Sequence, residues 1–360
     1  MAHAWDNASY PKRAQALVQS ANIDANLAHF PALIVLTDTN AIAKADIASK
    51  RYQIYDYNGN EMPYEEDSYS EGASYANAKI WVGGSSTTLY ASPTGDQNKF
   101  WIYYGDYDPG SDQDDPTNVW HATYKGVYHC NDASGGLADS TSNSNDLSTV
   151  GGTPFYQATG QLGDDSGITF SKTSREYCET SSGIVSDPFT ITAVAKATDD
   201  TDDNNIACLA DASAADQYWR LVWDGGAAGD PIEQVSYDGG LSMTATTTGF
   251  GTATFHHGAS VFKTGAQEVW IDGGSKGSNS DSVSPSNIDT TSVGRVADST
   301  PRYSDATVDE VRFYDDVLSD EWVKFEYHNI FEADHEQTWS AEEDKPSTGI
   351  VILRRRREAA

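Results

Sequence analysis

Cysteine, positive charge and long apolar runs are all scarce in this chain. Its 360 residues include three cysteines, Cys130, Cys178 and Cys208, an odd number with neither a Cys-x-x-Cys motif nor zinc-type spacing. Buried free thiols are expected, with a Cys130–Cys178 bridge as the alternative. Lys and Arg number 23 against 54 Asp and Glu, a formal charge of −31. Four of those positive charges stand together at Arg354, Arg355, Arg356 and Arg357. A surface this acidic repels phosphates and anionic lipids, which excludes general nucleic-acid binding and favours solubility. The apolar run at 32–36 is too short to span a bilayer. Met1-Ala2-His3-Ala4-Trp5-Asp6 lacks the cationic and apolar regions of a secretory leader.

Short apolar runs at 14–18, 33–36, 52–55, 79–82 and 100–104 alternate with stretches rich in Gly, Ser, Thr, Asp and Asn. That pattern predicts an all-β chain, and Asn58-Gly59-Asn60 reads as a hairpin turn because Asn and Gly tolerate positive φ. The length suits two domains. Two prolines, two glycines and five aspartates within 105–116 mark the linker, placed at 107–118. The sharper alternative is a cation loop through Asp106, Asp108 and Asp112, but an EF-type loop requires an acid where Thr117 stands.

Residues 305–330 predict a strand, a turn and a capped helix. In the strand, Asp309, Val311 and Phe313 share one face, expected to be buried, and Glu310, Arg312 and Tyr314 the other. A buried carboxylate at Asp309 then needs hydrogen bonds or a cation. Ser319 is the expected N-cap, Asp320 and Glu321 favour the first turn, and Leu318 can staple to Val323, with the helix ending near His328.

The segment resembles the closing signature of laminin-G-like, concanavalin A-type jelly rolls. Phe255-His256-His257 with Val261, Val269-Trp270-Ile271-Asp272-Gly273-Gly274 and Val293-Gly294-Arg295 are similar to that family's preceding strands. Val127-Tyr128-His129 followed by Asp139-Ser140-Thr141, Asn143 and Asn145 is similar to its opening, with Asp146 where the family usually has Gly. Upstream, Trp5, Tyr10, Lys12-Arg13, Phe30-Pro31, Tyr64-Glu65, Trp81-Val82 and Tyr103-Tyr104-Gly105 resemble a β-sandwich family of unknown function that commonly precedes laminin-G-like modules. The resemblances imply two tandem β-sandwiches: 1–106, the linker 107–118, a jelly roll with a short C-terminal helix at 119–332, and a linker with a basic tail at 333–360.

Sugar recognition needs aromatic faces beside amide or charged groups. On the strand-like run 218–223, Trp219, Leu221 and Trp223 are expected in the core, leaving Tyr218 and Arg220 as carbohydrate-binding candidates with Arg302 and Tyr303. For a metal, Asp139, Asn143, Asn145 and Asp309 are the candidate calcium ligands, calcium being what the resemblance implies; the other reading is a hydrogen-bonded Asx turn. Adjacent His256 and His257 diverge on a strand, no Glu-x-Asp-x-x-Glu triplet of the glucanase type occurs, and no catalytic residue is assigned. Ile350, Val351, Ile352 and Leu353 with the four arginines form a candidate partner-docking strand. The expected function is non-enzymatic surface display or adhesion: a phage virion component such as a capsid decoration, fibre or tail-associated protein, with host or matrix glycan binding. Homo-oligomeric or lattice-bound assembly with other virion or surface proteins follows. The alternative is an exported cell-surface carbohydrate-binding protein, with a glycoside hydrolase third.

Overall fold

The short alternating runs form antiparallel sheets. The computed structural model describes residues 5–37, 42, 47–71, 76–198, 201–239, 242–251 and 253–346, and among these helices occur only at Pro116–Val119 and Asp320–Phe331. In the first domain, Lys12–Val18, Lys99–Tyr104, Gln53–Tyr55 and Glu61–Met62 make one sheet, and Ala32–Leu36, Ala76–Val82 and Tyr64–Glu71 another. Their core includes Val18, Ile34, Ile54, Ile80 and Ile102. Asn58-Gly59 turns the hairpin as predicted: Gly59 has φ +80°, and the Asp56 carboxylate accepts from the Asn58 and Asn60 N–H groups at 2.8 Å.

The segment after the closing helix does more than the linker expected of it. Gln337–Trp339 and Glu343–Asp344 pair with Lys12–Val18 and cover its open edge, where unpaired N–H and C=O groups need partners. Trp339 packs on the first core, and Arg13 pairs with Glu343 at 2.8 Å. The docking candidates Ile350 to Leu353 and Arg354 to Arg357 lie outside the described residues.

The second domain is a jelly-roll sandwich of an eight-stranded and a seven-stranded sheet. Phe170, Ile191, Leu209, Trp219, Leu221, Trp223, Val311 and Phe313 fill the space between them. The strand Ala306–Tyr314 is buried along its whole length, because its outer face meets the helix and the first domain. A bulge corrects the predicted alternation. Ala195 pairs with Val308, Val194 with Asp309 and Ala193 with Val311, so Glu310 is the extra residue, at φ +33°. Val308 and Val311 therefore both face the sandwich core, while Asp309 shares the outer side with Val194 rather than the face of Val311 and Phe313.

Ser319 caps the helix through Trp322 N–H at 3.3 Å, and Leu318 and Val323 join one apolar cluster. The helix runs to Phe331, past His328, and its last turn holds Asn329 at the seam. Its Oδ1 accepts from Leu33 N–H at 2.8 Å and its Nδ2 donates to Leu33 O at 3.1 Å, imitating a neighbouring strand. Phe325 enters the first domain's core from this helix, tying the two cores together.

Charges are buried in the same seam. His129 Nε2 lies 3.2 Å from Glu65, Arg312 donates to Glu310 at 2.8 Å and to Glu326 at 2.6 Å, and Tyr314 donates to Glu326 at 3.0 Å. The Arg312 guanidinium lies 4.3 Å from the Trp81 ring centroid and 5.2 Å from that of Trp120.

Candidate functional site

The helix and first domain back the eight-stranded sheet, which leaves the outer face of the seven-stranded sheet as the place to look for a ligand. Gln217–Asp224 runs through its middle with the alternation its sequence predicts: Trp219, Leu221 and Trp223 inward, Tyr218 and Val222 outward. Arg220, also outward, donates to Asp203 at 2.7 Å and Asn205 at 2.5 Å. The Arg302 and Arg220 guanidinium groups lie 4.8 and 5.6 Å from the Tyr218 ring centroid. Three of the four predicted sugar-binding residues thus meet around one ring.

Tyr303 does not join them; it lies beside Tyr177, 6.1 Å between centroids, and Arg295 covers Tyr177 at 3.6 Å. Tyr218 is only 4% exposed, so it supports the guanidinium groups and offers no open face for stacking. Tyr237, edge-on to it at 5.7 Å, is the more accessible ring.

Pairing across the sheet adds residues that the sequence reading missed. Asp203 is opposite Asp224, and Glu233 is opposite Val222 on the next strand, so three carboxylates gather beside Arg220. Burial, and then the charge of Asp224, push the Glu233 carboxyl up to about 7. Burial also raises Asp224, and Asp203 adds to the effect; at Asp203 the Arg220 guanidinium outweighs burial and holds the carboxyl down. Arg220 Nε and Asn205 Nδ2 are buried donors without a hydrogen-bond partner. Only strand register brings these residues together; alternation with Arg220 was the one signal in the sequence.

The proposed calcium ligands separate into two places. Asp139 Oδ1 accepts from Val127 N–H at 3.0 Å and Thr141 N–H at 2.9 Å, and Oδ2 accepts from the Thr141 hydroxyl and Asn145 N–H, both at 2.8 Å. Asn143 and Asn145 donate to the Tyr124 and Lys125 carbonyls at 2.9 and 2.7 Å. These are the bonds of an Asx-type loop, and they leave no converging set of free oxygens for a hard cation. Asp309 accepts instead from Leu162 N–H at 3.0 Å, Ser166 Oγ at 3.1 Å and Glu310 N–H at 2.9 Å. Burial, reinforced by Glu310, holds its carboxyl well above the ordinary range.

The two adjacent histidines diverge: His256 meets Asp272 at 2.8 Å and His257 faces Glu326 at 3.5 Å. Of the linker acids, Asp108 and Asp112 turn to Arg51 at 2.6 and 3.9 Å. Among the described residues, one group, His328, Glu332 and Glu336, holds potential metal-ligand atoms within 4.8 Å of one another. A hydrogen-bonded contact at the helix C-terminus, His328 Nδ1 to Glu332 Oε1 at 2.8 Å, holds two of its three members together.

Residues 162–324 match the family model described as the concanavalin A-like lectin/glucanases superfamily. Among solved structures, the chain is similar to domain 4 of AbnA, a GH43 extracellular arabinanase from Geobacillus stearothermophilus, in complex with arabinotriose. That match has 20% identity and a TM-score of 0.44, over 56% of this chain and 97% of that one. The binding domain of botulinum neurotoxin DC in complex with SialylT matches at 8% identity and a TM-score of 0.43, over 58% and 52%. A Ruminococcus gnavus IT-sialidase CBM40 bound to alpha2,3 sialyllactose matches at 14% identity and a TM-score of 0.35, over 39% and 82%. No curated protein matches.

Proposed function

We propose that the concanavalin A-like sandwich of this chain binds a glycan without cleaving it, on the outer face of the seven-stranded sheet. The observation that carries the reading is the convergence of a guanidinium, an amide and three carboxylates there, with Arg220 Nε and Asn205 Nδ2 left without partners. Sugar hydroxyls both donate and accept, so they fit such a mixed set. Asp203 and Glu233 would accept from them, Arg302 would donate, and Tyr237 would offer the ring, with the buried Asn205 holding Arg220 beneath. A glycan array probed with the whole chain tests this: saturable binding that Arg302→Ala weakens supports it, and an array without signal overturns it. Reducing-end release from a polysaccharide, abolished by one carboxylate substitution, would establish a hydrolase instead.

The setting we propose is display in many copies on a particle or cell surface, with a virion as the first candidate. Three free buried cysteines support this, because the fold then needs no oxidising compartment. Mass spectrometry of purified particles is the test; particles that lack the chain sink the virion assignment and leave the exported alternative.

A further inference from the structure

A cleft of about 760 Å³ opens where the two domains meet, at the end of the buried seam. The first domain contributes Asp67 and Lys79, and the second contributes Asn131, Asp164, Asp165 and Ser166. Lys79 stands between Ala78 and Ile80, both in the first core, so alternation along the strand aims it out of that core and into the cleft. It reaches across to the hairpin turn of the second domain, where a Cβ on Gly163 would lie 3.4 Å from its Nζ. Among the described residues no carboxylate oxygen comes within 4.0 Å of that half-buried ammonium. Asp67 accepts from Asn131 Nδ2 at 2.6 Å, Asp164 from Thr159 Oγ1 at 3.0 Å, and the Ser166 hydroxyl lies 2.9 Å from Gly163 O.

The volume lies in the range of small-ligand sites, and domain junctions are a common place for them. The chemistry narrows the ligand. An anion would meet Asp164 and Asp165 on the exposed rim; a cation would meet Lys79 inside. A hydroxyl accepts from the ammonium and donates to a carboxylate, which satisfies both ends. We propose that this cleft is a second ligand site, built by both domains, for a neutral saccharide of one or two rings. It is separate from the sheet face and stands or falls independently of it.

Isothermal titration of the whole chain with lactose, cellobiose and maltose, and with glucuronate and glucosamine as charged counterparts, tests the assignment. A neutral disaccharide is expected to bind. Lys79→Met, which removes a charged hydrogen bond, is expected to weaken it by about tenfold or more. Asn77→Trp, which fills the cleft, is expected to abolish binding, and melting curves would show that both variants remain folded. Unchanged affinity in both variants, tighter binding of glucuronate or glucosamine, or no heat from the neutral panel overturns the site. Binding lost in Arg302→Ala but kept in Lys79→Met assigns the saccharide to the sheet face, which sinks the cleft and leaves that reading standing.

Discussion

His129 Nδ1 stands 2.6 Å from Glu310 Oε1 in the middle of the domain seam, with both residues buried. Burial alone would discharge the imidazole, but Glu310, and then Glu65 of the first domain, outweigh it and hold the imidazolium well above its ordinary 6.5. Carboxylates of both domains thus stabilise one charge at the seam between them.

Linkage gives this pair a direction in pH. A proton held more tightly in the folded state contributes stability that is fully present below 6.5 and is lost as pH rises through the raised folded value. The unfolding free energy of wild type minus that of His129→Gln, measured in urea, should be largest near pH 6 and shrink as pH rises. A difference that is flat with pH would refute the charged pair. Glu65, Glu310 and Glu326 act on the other side. Burial opposes their charge, but His129 for Glu65 and Glu310, and Arg312 for Glu326, hold them below 4.5, so their contribution is lost as pH falls through those lowered values.

Arg312 is the cation that Glu310 and Glu326 have in common, at 2.8 and 2.6 Å. Arg312→Met leaves two buried carboxylates facing each other, and loss of one partner from such a set costs about 3–5 kcal/mol. Urea denaturation at pH 7 reads it directly; a loss under about 1 kcal/mol would mean that water reaches the seam.

The closing strand and helix were legible because local rules decide them. Ser319 caps the helix, and Val311 and Phe313 face the core as the two-residue period requires. Asp309 was misplaced because one extra residue at Glu310 reverses the period, and a bulge leaves no mark in composition. Tyr218 and Arg220 were placed on the outer face by alternation within one strand. Asp203 and Glu233 were missed, because strand register sets their distance to Arg220 and follows from neither neighbouring sequence. The cleft at Lys79 was invisible for a stronger form of the same reason, since its walls come from different domains.

Glu233 gives the sheet face a titration near neutrality. Its carboxyl is raised from 4.5 to about 7, so the folded chain holds a proton that the unfolded chain releases. Its contribution to stability therefore falls as pH rises from 4.5 through about 7. The unfolding free energy of Glu233→Gln minus that of wild type should rise over that window, and equal pH profiles would remove Glu233 from the coupled set.

Asp139 supplies its two oxygens to four protein donors, so hydrogen bonds within the chain close the loop. Its melting temperature should be the same with calcium and with chelator. Asp139→Ala, which frees three backbone N–H groups and leaves the loop unclosed, should cost about 1–3 kcal/mol in either condition. A calcium-dependent rise in melting temperature that Asp139→Asn abolishes would restore the metal reading.

Phe325 makes the sharpest case for the domains as one cooperative unit. It belongs to the helix that closes the second domain, yet it is fully buried in the first domain's core, 5.1 Å from the Phe30 ring centroid. Phe325→Ala should therefore cost about 3–5 kcal/mol through lost burial and the cavity left behind. The location of that loss matters more than its size. Amide exchange should quicken in Ala32–Leu36 and Ala76–Val82 of the first domain as well as in the helix itself, in a single unfolding transition. Faster exchange confined to the helix, or two separate transitions in which the first domain keeps its wild-type midpoint, would show that the domains are stable independently and merely touch.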